Sequence, residues 1–272
     1  MSQETSKKIG IVGVGMVGGA LKKYFEQTGK YDVFSYDKKG IGSLEEVNKA
    51  DFIYLCVPTP YVPGQGCDTS LVEDALKEIQ GSKVIIIKST VIPGTTEKIQ
   101  VKFPQHKILF NPEFLTEVTA DADMSFPDRQ IIGYTSQSYT VAADVMAQLP
   151  LAPYERIIPA RVAELIKYAG NTWFAVKVAM NNELYDLAQK IGFSEKEWDD
   201  LVEGVAADKR IGRTHLTVIH KNKRGYHGKC LPKDIKALLD FSKDQGVEMP
   251  IRKAANQYND ELLKNQGLEE YI

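Results

Sequence analysis

Residues 8–18 read KIGIVGVGMVG, and their pattern indicates the fold of the N-terminal region. The apolar run Lys8–Val14 predicts a β-strand, and apolar residues at helical spacing over Val17–Glu26 predict a helix directly after it. Three glycines at G-x-G-x-x-G spacing separate the two elements. Glycine permits the tight turn, lets the backbone approach a pyrophosphate, and allows the helix to pack closely on the strand. The stretch therefore predicts a dinucleotide-binding unit.

The glycines are Gly13, Gly15 and Gly18, and Asp37 follows at the end of the next predicted strand. A carboxylate there accepts hydrogen bonds from a ribose diol and repels a 2′-phosphate, which favours NAD over NADP. Lys38 beside it weakens that preference slightly. The alternative is a glycine-rich turn that holds no ligand. The strand, the helix and Asp37 together favour dinucleotide binding over that alternative.

The rest of the chain divides into two regions. Unbroken Val/Ile/Leu runs are typical of parallel strands buried on both faces, and a helical pattern of about thirty residues exceeds the usual length. Strands are predicted over Tyr31–Tyr36, Asp51–Val57, Lys83–Ile87, Lys107–Phe110 and Gln130–Tyr134, and helices over Ser43–Asn48, Ser70–Ile79, Thr95–Val101, Ser138–Gln148, Arg161–Lys190, Ser194–Ala207, Leu231–Gln245 and from Pro250 onward. The prediction is an α/β Rossmann-type doubly wound parallel sheet over residues 1–155, followed by an all-helical domain over residues 156–272, with the boundary near Pro150–Pro159.

Composition excludes several classes of function. The formal net charge is −2, with 43% hydrophobic and 26% charged residues, which is typical of a globular enzyme and gives no sign of a nucleic-acid or membrane partner. The segment Met1–Lys8 is polar, unlike a secretory signal. Three cysteines, at positions 56, 67 and 230, form neither a disulfide framework nor a zinc-ligand pattern. We expect a cytoplasmic protein without a bound metal.

A second chemical signal surrounds Cys230, in the segment GKCLPKD over residues 228–234. The cysteine lies at the predicted N-terminus of a helix, where the helix dipole with Lys229 and Lys233 lowers a thiol pKa. The alternative is a structural cysteine, but a glycine-rich charged loop is a poor place for core packing. Cys56 lies inside an apolar strand and is interpreted as core, while Cys67 has no base near it in sequence.

The order and spacing of nine motifs resemble the UDP-glucose/GDP-mannose dehydrogenase family over nearly the whole chain. The motifs are Gly13–Gly18 with Asp37, Cys56–Pro60, Lys88–Val91, Pro93–Thr95, Asn111–Leu115, Pro127–Arg129, Glu164–Asn171, Arg210–Gly212 and the Cys230 segment. The resemblance implies oxidation of a nucleotide-sugar primary alcohol to the acid, with NAD as oxidant and a thiohemiacetal and a thioester on Cys230. It also implies a role in polysaccharide biosynthesis.

The resemblance assigns roles to individual positions. The implied catalytic residues are Thr90, Glu113, Lys167, Asn171, Cys230 and Asp234. The implied cofactor-binding residues are Gly13, Gly15, Met16, Val17, Gly18, Asp37, Lys38, Val57, Pro58, Thr59, Ser89, Thr90 and Glu117. The implied substrate-binding residues are Phe114, Leu115, Glu117, Lys167, Asn171, Arg210, Gly225 and Tyr226.

Within that set, Lys167 and Asn171 flank the reacting oxygen from one helical face. Thr90 and Asp234 hold a water molecule, and Glu113 is the general base for hydrolysis. Glu117 follows Glu113 by one turn if that stretch is helical. The structural alternatives are a solvated helix face for the lysine and asparagine, a helix cap for Glu113, a strand residue for Thr90 and a first-turn acid for Asp234.

Oligomerisation is also expected, because a helix of about thirty residues is roughly 45 Å long and one small domain does not bury it. The resemblance implies a homodimer through this helix, with Arg210 reaching the neighbour's site. The chain departs from the family in two places. His227 replaces a glycine before the nucleophile, where His⁺ would lower the thiol pKa. The basic stretch His220–Arg224 is either a solvated loop or a clamp for substrate phosphates.

Family members usually continue into a third domain that binds the nucleotide, whereas this sequence stops at Ile272. Three functions therefore remain open. The first is a shortened nucleotide-sugar 6-dehydrogenase that uses a UDP-glucose-like substrate. The second is an inactive NAD-binding dimer, or one part of a split enzyme whose partner chain supplies nucleotide contacts. The third is a two-electron dehydrogenase of the 3-hydroxyacid type.

Overall fold

The computed structural model describes residues 7–269. In these residues the strands are, in chain order, β1 (Lys7–Val12), β2 (Tyr31–Asp37), β3 (Ile41–Gly42), β4 (Phe52–Leu55), β5 (Tyr61–Val62), β6 (Gly66–Cys67), β7 (Val84–Ile87), β8 (Lys107–Phe110), β9 (Arg129–Tyr134), β10 (Tyr154–Pro159), β11 (Ile219–His220) and β12 (Lys223–Arg224). The helices are α1 (Met16–Thr28), α2 (Leu44–Val47), α3 (Ser70–Glu78), α4 (Thr95–Lys102), α5 (Ala120–Ser125), α6 (Ala142–Met146), α7 (Ala160–Lys190), α8 (Glu195–Ala206), α9 (Leu231–Asp244) and α10 (Pro250–Lys264).

Contacts divide the described chain into two compact units. The first unit consists of residues 7–60 and 67–167, and the second consists of residues 61–66 and 168–269. The predicted boundary between residues 155 and 156 falls inside β10, which pairs with β9 along its whole length. The contacts divide inside α7, between Lys167 and Tyr168, and the boundary after residue 155 stays a prediction. Residues 1–6 and 270–272 of the two predicted domains lie outside the described residues.

The first unit contains an eight-stranded sheet in the order β10-β9-β8-β7-β4-β1-β2-β3. Strands β2, β1, β4, β7 and β8 run parallel to one another, as the sequence predicts. Strand β9 is antiparallel to β8, and β3 is antiparallel to β2. The Rossmann-type α/β fold class is confirmed, with the correction that the sheet is mixed at both edges.

Two apolar layers cover the faces of this sheet. Along β4, Ile53 and Leu55 point into one core cluster and Tyr54 points into the other. Successive side chains of a strand point to opposite faces. A strand that buries both sets therefore reads as an unbroken apolar run, which explains why the sequence signal for the inner strands was clear.

Local differences from the sequence prediction are confined to short elements. The predicted helix Ser138–Gln148 is a 3₁₀ turn, Tyr139–Val141, followed by α6. Helix α5 and strand β10 were not predicted. Ser43 caps α2 by accepting the Glu46 N–H at 3.2 Å.

The second unit is mainly helical. It contains residues 168–190 of the 31-residue α7, then α8, α9 and α10, and the hairpin β11–β12. Ser194 and Glu197 form a reciprocal capping box at the start of α8, which satisfies two otherwise unpaired backbone donors. Among residues 7–269, no helix is both long enough and apolar enough to span a bilayer.

Candidate active site

The glycine-rich turn contains two crowded glycines and one open glycine. Gly13 has φ +88° and donates its N–H to the Tyr36 carbonyl at 2.8 Å. A Cβ at Gly13 would lie 2.7 Å from the Cys56 carbonyl oxygen, and one at Gly18 would lie 1.9 Å from the Gly13 oxygen. At Gly15 an added Cβ would meet nothing within 4 Å. The fold therefore requires Gly13 and Gly18, whereas Gly15 leaves open space at the start of α1.

Asp37 is held rigidly beside this turn. Its carboxylate accepts the N–H groups of Lys39 at 2.9 Å and Val14 at 2.8 Å. These hydrogen bonds, that from Lys39 first, hold the pKa of Asp37 below its usual value. Lys38 is exposed. An open helix N-terminus and a fixed carboxylate are the features that bind the pyrophosphate and a ribose of a dinucleotide, so the residues present fit NAD.

Two loops at the carboxyl edge of the sheet are linked by hydroxyl groups. Ser89 Oγ donates to the Val57 carbonyl at 2.6 Å, and Thr59 Oγ1 donates to the Thr90 carbonyl at 2.6 Å. Thr59 and Ser89 are buried, whereas Pro58 is exposed. The hydrogen bonds fix the loops after β4 and β7 against each other.

Glu113 and Lys167 form a buried ion pair in the first unit. Lys167 Nζ lies 2.8 Å from Glu113 Oε1, and the two side chains are only 5% and 10% exposed. Burial raises the pKa of Glu113, but the charge and hydrogen bond of Lys167, with the Leu115 N–H at 2.8 Å, outweigh it and hold that pKa below its usual value. The solvated-face alternative for Lys167 is wrong.

The residues after Glu113 form a loop, without helix until α5. The condition for placing Glu117 one helical turn after Glu113 is therefore not met, and Glu117 is exposed. Phe114 packs its ring against charged groups: the Arg129 guanidinium lies 3.8 Å and Lys167 Nζ lies 5.7 Å from the ring centroid. Such cation–π contacts hold the Phe114 ring in place.

In the second unit, Asp234 and Asn171 form a hydrogen-bonded pair. Asp234 is 1% exposed; its Oδ2 accepts Asn171 Nδ2 at 2.5 Å, and its Oδ1 accepts Lys233 Nζ at 2.5 Å. Asn171 lies in the part of α7 that belongs to the second unit.

Cys230 is the N-cap residue of α9 and is exposed. Its carbonyl accepts the Asp234 N–H at 3.0 Å, which starts the helix, and Pro232 occupies the first turn. The positive end of the helix dipole favours a thiolate there. Cys56 is different, because burial raises the pKa of its thiol to about 12. Lys233, predicted to act on the Cys230 thiol, forms an ion pair with Asp234, so part of its charge is neutralised by that carboxylate.

Gly225 and Tyr226, predicted to contact substrate, are packed against α10. Tyr226 is 3% exposed, and its backbone N–H and carbonyl bond to Asn259 at 2.8 and 3.0 Å. Its hydroxyl donates to Asn256 Oδ1 at 3.3 Å. Gly225 has φ +81°, and a Cβ there would lie 2.6 Å from Asn259 Oδ1. The Tyr226 side chain therefore supports the core of this unit.

The basic stretch His220–Arg224 forms the tip and second strand of the β11–β12 hairpin. Arg224 pairs with Asp186 at 2.6 Å, bonds to Asn182, and lies over the Tyr185 ring at 4.8 Å. Because its guanidinium is bound within the same unit, Arg224 is not available as a phosphate clamp.

His227 and Arg210 each make a contact that the sequence did not predict. His227 Nε2 donates to the His220 carbonyl at 3.1 Å, and partial burial lowers the pKa of His227. A neutral imidazole therefore replaces the predicted cation at neutral pH. Arg210 is 88% exposed and bonds to Asp208 at 2.6 Å.

Two buried charged residues escaped the assignment of roles from sequence. Lys88, which ends the apolar run of β7, donates Nζ to Asn111 Oδ1 at 2.6 Å. Glu164 accepts the Gly94 N–H at 2.6 Å and both the N–H and Oγ1–H of Thr96 at 2.8 and 2.6 Å, and so caps α4. The sequence signal that could have identified both residues is a charged residue inside an apolar pattern. The described residues contain no cluster of His, Cys, Asp and Glu suited to a metal ion.

Two domain models of one family match the chain. The NAD binding domain of the UDP-glucose/GDP-mannose dehydrogenase family matches residues 40–149, and the central domain of that family matches residues 161–261. The chain belongs to this family. Its first unit therefore contains an NAD-binding domain, in agreement with the cofactor predicted from Gly13–Gly18 and Asp37.

Individual relatives agree with this assignment. A UDP-glucose 6-dehydrogenase of Rickettsia conorii (strain ATCC VR-613 / Malish 7) is 35% identical over 230 residues, which cover 81% of this chain and 51% of the relative. The chain thus spans about half the length of that curated protein. Among solved structures, a UDP-glucose dehydrogenase from the hyperthermophilic archaeon Pyrobaculum islandicum superposes with a TM-score of 0.83 at 28% identity, over 99% of this chain and 72% of that one.

A structure outside the nucleotide-sugar enzymes also matches. Mycobacterium tuberculosis 3-hydroxyisobutyrate dehydrogenase superposes with a TM-score of 0.72 at 17% identity, over 96% of this chain and 95% of that chain. At this identity the likeness concerns the fold alone.

Proposed function

We propose that the chain is an NAD-dependent dehydrogenase that oxidises the primary alcohol of a nucleotide sugar to the acid, as in UDP-glucose to UDP-glucuronate. The observation that carries the proposal is the exposed Cys230 at the N-terminus of α9, followed one turn later by the buried Asp234. Oxidation that stops at a carbonyl needs no sulfur nucleophile, whereas oxidation to an acid needs a group that holds the aldehyde.

NAD supplies a hydride acceptor when it is bound. In the proposal, the open Gly15 and the N-terminus of α1 hold its pyrophosphate and Asp37 holds a ribose. The linked loops Val57–Thr59 and Ser89–Thr90 contact the rest of the cofactor, because ligands of parallel sheets bind at the carboxyl ends of the strands.

Cys230 divides the four-electron oxidation into two steps. The first two-electron oxidation converts the alcohol to an aldehyde, and the Sγ thiolate adds to the carbonyl carbon, so that a C–S bond forms and the oxygen takes a proton. The second oxidation removes the remaining hydride and the hydroxyl proton and leaves a thioester. Water then breaks the C–S bond and releases the acid and the thiol. Alcohol, two NAD⁺ and water give carboxylate, two NADH and three protons.

In the proposal, five further polar side chains supply charge and proton transfer. Lys167 and Asn171 stabilise the developing oxyanion, each held by a carboxylate partner of its own, Glu113 and Asp234. Glu113, kept ionised by Lys167, activates the hydrolytic water. Thr90 and Asp234 orient water for the reaction.

Stoichiometry tests the proposal. The purified chain should reduce two NAD per sugar when UDP-, GDP- and ADP-sugars are offered, and the product should be the uronic acid. Cys230→Ser should release no acid above background, whereas Cys67→Ser, at a second non-core cysteine, should keep the ratio of two. One NADH per substrate, or acid production by Cys230→Ser, would contradict the assignment of Cys230 as nucleophile.

Two alternatives have distinct outcomes in the same assay. A two-electron 3-hydroxyacid-type enzyme would form one NADH per hydroxyacid and would tolerate Cys230→Ser. An inactive NAD-binding dimer would bind NAD without reducing it. A split enzyme would become active only after addition of a partner chain that supplies nucleotide contacts.

We also propose that the chain forms a homodimer through α7. Trp173, Met180, Leu184 and Leu187 recur at helical spacing on this helix and are all exposed. A continuous apolar stripe of this kind marks a protein interface. We propose that in such a dimer the exposed Arg210 reaches the partner's site, as the family resemblance implies.

Molecular mass in solution tests the dimer. Light scattering should give twice the 30.4 kDa chain mass for the wild type. Met180→Glu with Leu187→Glu should give the single-chain mass, and the exposed polar control Gln189→Glu should remain dimeric. A monomeric wild type would refute the proposal.

A further inference from the structure

Lys88 is a buried cation that none of the roles above employs. It follows β7 and is 4% exposed, and its Nζ donates to Asn111 Oδ1 at 2.6 Å. Lysine is almost never fully buried unless it is paired with an opposite charge. Here its hydrogen-bond partner is a neutral amide, which is itself fully buried. Burying a charged group without an opposite charge in direct contact costs free energy, so this position suggests a functional role for Lys88.

Asn111 connects three strands at the carboxyl edge of the sheet. Its N–H donates to the Ile87 carbonyl at 2.9 Å, and its Nδ2 donates to the Ile131 carbonyl at 2.9 Å. Together with the bond from Lys88, these contacts join β7, β8 and β9 where β8 ends. Glu113 follows only two residues later, so the Lys88–Asn111 bond sets the start of the segment that carries it.

Two charged groups act on Lys88. They are the Glu113 carboxylate after β8 and the Lys167 ammonium on α7, and an ionised Cys56 thiol after β4 would act on it as well. Burial lowers the pKa of Lys88 to about 8. Its positive charge in turn lowers the pKa of Glu113. Two ammonium groups therefore act on one carboxylate.

We propose that Lys88 is a positioning residue for the Glu113–Lys167 pair. Through Asn111 it fixes the backbone that precedes Glu113, and its ammonium adds a second positive charge that keeps Glu113 ionised. Lys88 touches neither substrate nor cofactor in this account. The inference rests on the proposed function only for its kinetic readout.

Two substitutions separate the contact from the charge. Lys88→Met removes both the donor and the charge, whereas Lys88→Gln keeps an amide donor toward Asn111 without the charge. The control is Tyr54→Phe, which removes a buried hydrogen bond of 3.1 Å to Gln148. This control shows what loss of stability alone does to the kinetics.

The first measurement does not depend on turnover. Titration of the Glu113 carboxyl, followed by NMR of carboxyl-labelled glutamate with Glu113→Gln for assignment, should show a higher pKa in both Lys88 variants and no change in Tyr54→Phe. The second is the pH profile of kcat and KM. We expect kcat to fall about tenfold or more in Lys88→Met and less in Lys88→Gln, with KM for NAD within about twofold of the wild type.

In both Lys88 variants the acid limb of the kcat profile, where Glu113 takes up its proton, should move to higher pH, whereas in Tyr54→Phe it should stay in place. An unshifted Glu113 titration, or kinetics that match Tyr54→Phe, would overturn the proposal. If Lys88→Met does not fold, Lys88→Gln decides the same question. If the wild type oxidises no sugar, the proposed function fails, and the Glu113 titration still decides the role of Lys88.

Discussion

Breaking the Glu113–Lys167 pair should strongly destabilise the first unit. The oppositely charged atoms are 2.8 Å apart and nearly excluded from water. At an effective dielectric constant of about 20, their attraction is roughly 6 kcal/mol. Part of this is offset by the cost of burying both ions. Removal of one partner nevertheless leaves an unpaired buried charge, and such changes cost about 3–5 kcal/mol. We expect Glu113→Gln to cost about 3 kcal/mol, because glutamine keeps one acceptor oxygen.

A double-mutant cycle measures this coupling. Lys167→Met alone should also destabilise, since it leaves the Glu113 carboxylate unpaired. The double variant should recover most of the loss, because two neutral groups replace two ions. The exposed pair Lys77–Asp74 in α3 of the same unit provides the control, and Lys77→Met should leave the unfolding midpoint unchanged.

Urea unfolding followed by far-UV circular dichroism is the appropriate assay. Tryptophan fluorescence is unsuitable, because Trp173 and Trp198 both lie in the second unit. A cost of less than about 1 kcal/mol for Glu113→Gln, the range of exposed pairs, would contradict a strong buried ion pair. Additive single effects in the double variant would contradict it equally, since additivity means that the two residues do not interact.

Two further predictions concern the glycine turn and a buried acid. Gly18→Ala should prevent the first unit from folding, because its Cβ would lie 1.9 Å from a backbone oxygen; Gly15→Ala should keep the wild-type circular dichroism but weaken NAD binding about tenfold or more in equilibrium titration. Burial raises the pKa of Glu164 to about 7 from 4.5, so its contribution to stability is full below pH 4.5 and is lost as pH rises through 7, by up to about 3 kcal/mol. Urea midpoints from pH 4 to 8 should show that slope, and Glu164→Gln should flatten it; an unchanged slope contradicts the assignment.

Local patterns predicted the parts of the molecule that are determined locally. The turn at Gly13–Gly18 follows from glycine spacing between two periodic segments, and the position of Cys230 follows from Pro232 in the first turn of α9. Each depends on residues within about one helical turn. The inner strands were equally clear, because burial on both faces leaves an unbroken apolar run.

Long-range pairing was the part that sequence did not show. The direction of β9 depends on its partner β8, and β10 was interpreted as a boundary because its pairing with β9 has no local signal. The family resemblance assigns Tyr226 to substrate binding. Its environment is instead set by Asn259 on α10, thirty-three residues away.

The three glycines of the turn also determine which substitutions the turn would tolerate during evolution. Gly13 and Gly18 are required sterically by the fold, whatever the function of the chain. Gly15 has φ −80° and ψ −155°, which any L-residue adopts, and open space above it. A descendant released from its dinucleotide would be able to accept a side chain at position 15 at little cost to folding. Substitution of Gly15 alone, with Gly13 and Gly18 unchanged, would therefore be an early sign that a related chain no longer binds a dinucleotide.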